Sequence, residues 1–445
     1  YISDVFIEGE KIKAIGIGLS ATDADTVIDA TGLLVFPGAI DPHVHLEMPF
    51  MGTFSSDNYE TGTRAALHGG TTSVIDFILQ KQGHSLYEAY NEWSGRASGN
   101  AVGDYSFHMA VTDYNDQTRL ELKDLIEKEG ITSFKMFMAY KGALMIDDKQ
   151  MVGLLHDIKS LGGMVTVHAT NGDMIDYLIA KHKAEGKLTP VYHYLSQPEV
   201  TEAEASERFA SIAGEIGCPG YIVHMTCEGA VNAVRTNNRL NQRVYGETCI
   251  QYLLLDARLY DSVEEGAKWV MSPPLRQPKD QEALWAAINQ GIVQVVATDH
   301  CPFTWQQKLM GKDDFSKIPN GHPAIEHRVE LLYSEGVRKG KITLHKFVEV
   351  LSTNPAKIFG MHPRKGCLAP GSDADIVLFD PNEQHTLSAS SHHMNTDYSG
   401  YEGWAITGKT KKVFLRGQLV INEGKCLVEK GFGQYIKRNK VKGKI

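Results

Sequence analysis

The sequence predicts an α/β fold: a (β/α)8 TIM barrel carrying a small β-sandwich built from both chain ends. Three observations predict it. The middle of the chain alternates eight short apolar runs with longer segments of helical period. The two ends carry hairpin patterns of like character. No GxGxxG or GxxxxGK[ST] loop is present, as an open doubly wound nucleotide-binding sheet would require.

Residues 5–17 (VFIEGEKIKAIGI) turn at Gly9 between two half-apolar runs, and a strand already under way at the start implies that native residues precede it. The eight runs of the middle lie at 34–40, 72–77, 105–111, 133–138, 164–168, 221–225, 244–248 and 292–299. Helical patterns at 119–129, 149–161, 202–216 and 280–289 fall between them. Strands covered on both faces read as near-continuous apolar runs, and eight β-then-α units close a barrel whose site lies at the strand C-terminal ends. Residues 374–379 (ADIVLF) and 413–426 (VFLRGQLVINEGKC) return to hairpin character. The expected division is a composite β-sandwich of 1–36 and 367–445 around a barrel of 37–366.

The 445 residues carry 45 basic and 54 acidic side chains, a net charge of -9, which disfavours nonspecific binding to nucleic acid, and no nucleic-acid partner is expected. The basic tail Lys437, Arg438, Lys440, Lys442 and Lys444 reads as a solvated terminus, with a contact to a partner subunit as the alternative. No 18-residue apolar run and no leader pattern is present, so neither a membrane nor a secretory role is expected. Six cysteines without a CxxC pair, three of them (Cys227, Cys249, Cys301) just beyond apolar runs, suggest buried free thiols and a reducing, cytoplasmic compartment.

Charged and polar residues at the run ends carry the chemistry. His43 and His45 in DPHVHL stand two apart, so an extended backbone points both imidazoles to one side. Such a pair is half a site for zinc or a similar divalent ion. His168 ends the fifth run, His224 lies near the end of the sixth, Asp299 ends the eighth, and Lys135 sits inside the fourth. One such residue is often a structural contact; six at the ends of one barrel point to a metal centre. A protonated lysine cannot ligate a cation. Lys135 therefore either pairs with an internal acid or, as a neutral amine, takes up carbon dioxide to give a carbamate that bridges two ions. Two ions would hold a bridging hydroxide at neutral pH, with Asp299 as ligand and general base. His300 points the other way if the strand continues, which suits packing behind the site.

The segments DPHVHLEMPF, SFKMFMAYKG, VTVHATNGD, YIVHMTC, YGETCIQYLLLD, SPPLR, ATDHCPF and KIPNGHPAIEHR resemble the dihydropyrimidinase and D-hydantoinase branch of the metal-dependent cyclic amidohydrolases. NPAKIFGMHPRKG, GSDADIVLFDP and DYSGYEGW extend the resemblance over essentially the whole chain. It implies hydrolysis of 5-substituted hydantoins and 5,6-dihydropyrimidines to N-carbamoyl amino acids. It also implies two divalent ions, zinc first with Mn2+ or Co2+ as alternatives. His43, His45 and Asp299 correspond to one ion's ligands, His168 and His224 to the other's, and Lys135 to the carboxylated bridging lysine. Tyr140 corresponds to the tyrosine that stabilises the oxyanion, and Ser272 and Asn320 to positions whose backbone holds the ring amide. Members are homotetramers, with homodimers as the alternative.

Two local features depart from or refine the family pattern. Thr170 stands where the family usually has glutamate, in HATNGD for HAENGD. The loop EMPFMGTF, residues 47–54, places Met48, Phe50 and Met51 where the family binds the exocyclic substituent, which implies an apolar or aromatic group. Allantoinase and dihydroorotase are rival activities; the second needs an arginine for its substrate carboxylate, and that loop has none. A non-enzymatic scaffold would have lost metal ligands, whereas all six candidates are present.

Overall fold

The computed structural model describes residues 2–22, 24–240 and 243–440. Eight parallel strands follow one another in chain order: Ala39–Val44, Thr71–Leu79, Asp104–Ala110, Ser133–Phe137, Met164–His168, Gly220–Ile222, Val244–Cys249 and Val295–Ala297. The ring closes beyond the last strand. The His45 N–H donates to the His300 carbonyl at 2.9 Å, and the His300 N–H to the His43 carbonyl at 3.3 Å. Every residue of the first strand is buried, as a barrel strand covered on both sides requires. The four helical patterns appear as Asp116–Glu127, Asp148–Leu161, Glu199–Ile216 and Pro278–Asn289.

The chain ends form antiparallel sheets. Asp4–Glu8 pairs with Lys11–Gly16 as a separate hairpin. Leu34–Pro37, Ile376–Thr386, Ala405–Leu415, Gln418–Asn422 and Lys425–Cys426 form a five-stranded sheet. Ile12, Ala374, Ile376, Leu378 and Phe414 make a small core between the two, packed by Val5, Ile7 and Leu419.

The run expected at 34–40 is two strands. Leu34–Pro37 pairs with the sandwich strand Ile376–Thr386, and Ala39–Val44 with the barrel. Gly38 is the changeover: a Cβ there would lie 2.2 Å from Thr72 Oγ1, so only glycine fits. The sixth and eighth strands stop at Ile222 and Ala297, short of the expected ends.

The basic tail is not solvated throughout. Arg438 is buried under the barrel, donating to Ser106 Oγ at 2.9 Å, to Ser133 Oγ at 2.8 Å and to the Phe107 carbonyl. A guanidinium supplies enough donors to satisfy acceptors that the open lower end leaves exposed. Lys437 and Lys440 stay on the surface; Lys442 and Lys444 lie outside the described residues. All six cysteines are free, and Cys218, Cys227, Cys249 and Cys301 are buried. Among the described residues no helix is long and apolar enough to cross a membrane.

Candidate active site

The upper, C-terminal ends of the strands bring the candidate residues together. His43 and His45 emerge from the first strand on one side, their ring centroids 5.2 Å apart. Each places Nε2 3.0 Å from the same oxygen, Oδ1 of Asp299. His168, at the end of the fifth strand, holds Nδ1 2.8 Å from Nε2 of His224. The His224 ring is 5.4 Å from that of His43, joining the two pairs into one cluster.

Three of these residues sit just past their strands in left-handed backbone. Tyr140 has φ 64°, His224 φ 40° and Asp299 φ 52°. Non-glycine residues there cost roughly 1–3 kcal/mol each and concentrate at functional sites. This turn is why the sixth and eighth strands end early: the chain leaves the ladder to aim His224 and Asp299 inward.

Burial sets the charges. His45 is pushed down to about 4 by burial, against Asp299. His168 is pushed down to about 3 by burial and by Lys135. His224 is held well below its ordinary value by burial and by His168. These imidazoles are therefore neutral and offer lone pairs. His43 differs: burial lowers it, but Asp299 and Glu247 outweigh that and raise it to about 8. Burial pushes the Asp299 carboxyl up, but His43 and His45 outweigh it and hold it well below the usual carboxylate range.

Lys135 is 1% exposed, in the middle of an apolar strand. Among the described residues it has no hydrogen-bonded or ion-paired carboxylate. Its nitrogen lies over the Phe77 ring at 4.2 Å and the Phe137 ring at 5.2 Å. Burial pushes its pKa down to about 8, with Asp299 and Glu247 opposing from a distance.

The donor set fits a divalent metal. His43, His45 and Asp299 present ligand atoms within reach of a common point. Among the described residues, His43 Nε2 and His45 Nδ1 are buried without a hydrogen-bond partner. Imidazole and carboxylate suit zinc and its neighbours in the first transition row.

Glu247, in the seventh strand, was not singled out from sequence. Its Oε1 lies 2.6 Å from His43 Nδ1 and accepts the His224 N–H at 2.9 Å; its Oε2 accepts from the Tyr221 hydroxyl at 2.8 Å. A carboxylate at Nδ1 fixes the tautomer that leaves Nε2 free to ligate. The signal was available: a glutamate inside the seventh apolar run. His300 turns behind the site as expected, buried, with Nε2 2.8 Å from Asp57 Oδ2.

A cleft opens above the cluster. Met48, Phe50, Leu79, Phe137, Tyr140, Leu144, Ser272, Cys301 and Asn320 line it together with His45, Lys135, His168, His224 and Asp299. Leu79, Phe137, Leu144 and Cys301 also escaped the sequence reading. Phe50 and Tyr140 meet edge to face at 5.9 Å. Met51 is not among the lining residues. It occupies the two-residue turn of the hairpin Pro49–Phe50/Thr53–Phe54, with φ 49° beside Gly52 at φ 83°, as a tight hairpin demands. Burial pushes the Tyr140 phenol up to about 12, with hydrogen bonds to Ser272 and Asn320 opposing, so it remains a donor at neutral pH. Asn320 Nδ2 donates to Ser272 Oγ at 3.0 Å. Thr170 is buried, its hydroxyl without a partner among the described residues.

Residues 34–420 match the model of the Amidohydrolase family. This chain belongs to that family. It is 46% identical to a D-hydantoinase of Geobacillus stearothermophilus over 99% of this chain and 94% of the relative. It is 40% identical to the dihydropyrimidinase of Rattus norvegicus, over 98% of this chain and 86% of the relative. The crystal structure of dihydropyrimidinase from Brevibacillus agri superposes with a TM-score of 0.98 at 49% identity, covering 100% of this chain and 96% of that one. This amidohydrolase carries its cleft at the strand ends, above the clustered histidines.

Proposed function

We propose that this amidohydrolase opens the ring amide of 5-substituted hydantoins and 5,6-dihydropyrimidines, releasing N-carbamoyl amino acids. The observation that carries the reading is the Asp299 carboxylate at the floor of the cleft, 3.0 Å from two imidazole nitrogens. Relatives named D-hydantoinase and dihydropyrimidinase support the substrate class. So does the absence of arginine among the described lining residues, where a dihydroorotate carboxylate would need one.

By this reading His43, His45 and Asp299 would hold one divalent ion and His168 and His224 a second, with a carboxylated Lys135 as a further ligand. Such ions, zinc with Mn2+ or Co2+ as alternatives, would supply Lewis acidity and lower the pKa of the attacking water. Asp299 takes the proton as water oxygen bonds to the ring carbonyl carbon, and delivers it to the ring nitrogen as the C–N bond breaks. Tyr140 donates to the carbonyl oxygen as negative charge develops there. Backbone groups of Ser272 and Asn320 hold the ring amide, and Met48 and Phe50 receive the 5-substituent. We further propose a cytoplasmic homotetramer, or homodimer, with the sandwich spanning 1–36 and 367–445 and the barrel 37–366. The resemblance supports the assembly, and the free thiols support the compartment.

The test is a rate comparison of metal-replete protein on dihydrouracil, 5-substituted hydantoin enantiomers, allantoin and dihydroorotate. The first two classes are expected to be the better substrates; preference for either of the others would replace the reading. Asp299→Asn should remain folded and lose on the order of 10²–10⁴-fold in rate. Near-parental activity with its metal retained would remove Asp299 from proton transfer.

A further inference from the structure

We propose that Lys308 is a positioning residue for ring-amide recognition: its ammonium clamps the loop carrying Ser272 to the loop carrying Asn320. The inference rests on the reading above, in which those two residues hold the ring.

Lys308 ends the short helix Trp305–Lys308 and is 0% exposed. It has no ion-paired carboxylate among the described residues. Its nitrogen donates to three backbone carbonyls: Val270 at 2.8 Å, Pro319 at 2.7 Å and Gly321 at 2.8 Å. An ammonium has three donors, and here each meets one acceptor. Burial pushes its pKa down to about 7, against Cys301, and the three carbonyls favour the charged form.

The three acceptors are placed with a pattern. Val270 lies two residues before Ser272, and Pro319 and Gly321 flank Asn320. The Val270 carbonyl also accepts the Gly321 N–H at 3.0 Å, so both loops converge on Lys308. Holding the carbonyls of 319 and 321 fixes the backbone on both sides of Asn320, which lines the cleft. The same loop rests on the strand end that carries Asp299: a Cβ at Gly321 would lie 2.0 Å from the Cys301 carbonyl. Lys308 thus fixes the ring-holding backbone relative to the reacting groups without touching substrate. Binding geometry of this kind fails when its supporting contacts loosen by a fraction of an ångström.

The experiment uses metal-loaded Lys308→Met and Lys308→Arg. Methionine keeps the length and removes every donor. Arginine keeps the charge, but its planar fork does not converge on three carbonyls around one point. It carries the test should the methionine variant not fold. KM should rise about tenfold or more on both dihydrouracil and a 5-substituted hydantoin, with kcat per bound metal changing less than about threefold. The two substrates should suffer alike, because the ring amide is common to both. Hydrogen exchange at the amides of 270–272 and 320–322 should accelerate while the barrel strands are unaffected. An unchanged KM, or a fall in kcat that only follows the folded fraction, would overturn the proposal; so would unchanged exchange in the two segments. The exchange readout needs no turnover. A wild-type protein that failed to open cyclic amides would overturn the substrate reading, and the exchange data would still decide whether Lys308 clamps the loops.

Discussion

Two lysines of this molecule are buried to the same degree, and their surroundings are opposite. Lys365 and Lys135 are each 1% exposed. Lys365 lies where the sandwich meets the barrel, with Asp375 at 2.5 Å, Asp104 at 2.9 Å and Asp373 at 3.3 Å. Burial disfavours its charge, but the three carboxylates outweigh that and raise its pKa. Lys135 faces the Phe77 and Phe137 rings, and burial lowers its pKa. Asp104 opens a barrel strand while Lys135 stands inside one whose end faces the cleft. The lower face of such a barrel serves stability and the upper face chemistry. A buried lysine matched by carboxylates, or by carbonyls as Lys308 is, is a completed structural device. One left with neither is available for chemistry.

The contrast breaks most sharply at Lys135. Lys135→Ala should lose most bound metal and at least about 10³-fold in activity, since both the nucleophile and carbonyl polarisation depend on the centre. The barrel should still fold, and short carboxylic acids should restore part of the activity by occupying the vacated space. Metal analysis, circular dichroism and rates read the three together; arginine should not rescue, because it stays protonated.

Lys365→Met should do the reverse. Removing the cation leaves Asp104, Asp373 and Asp375 incompletely compensated, and breaking a buried pair from one side costs about 3–5 kcal/mol. Denaturant unfolding should show that loss, while the specific activity of the folded fraction and its metal content stay at the parental level. A fall in kcat at unchanged stability would erase the distinction between the two lysines.

The smallest effect sharpens the upper face alone. Phe50→Ala should lower kcat/KM for hydantoins with a bulky 5-substituent by about 1–3 kcal/mol, and that for unsubstituted dihydrouracil much less. Equal losses on all substrates would mean that Phe50 supports the loop and does not sort substituents.

The same contrast explains what the sequence disclosed. Lys135, His168, His224 and Asp299 were legible because a polar group inside or at the end of an apolar run is costly and calls for a reason. Their inward aim was not, since it depends on left-handed turns at His224 and Asp299. The first run could not announce that Leu34–Pro37 and Ala39–Val44 join different sheets, because both partners demand the same apolar side chains. Arg438 read as one more charge in a basic tail; only the fold reveals Ser106 and Ser133 waiting beneath the barrel. Lys308 carried no periodicity at all, because its partners are carbonyls of two loops some 11 to 38 residues away.

The most direct test of the account is carbon-13 NMR of zinc-loaded enzyme equilibrated with labelled bicarbonate. If Lys135 becomes an anionic ligand by taking up carbon dioxide, a carbamate resonance should appear in the parent, grow with metal loading and vanish in Lys135→Ala. Fully active, metal-loaded enzyme with no such resonance would contradict it, and would leave the unpaired lysine beneath four histidines needing another role.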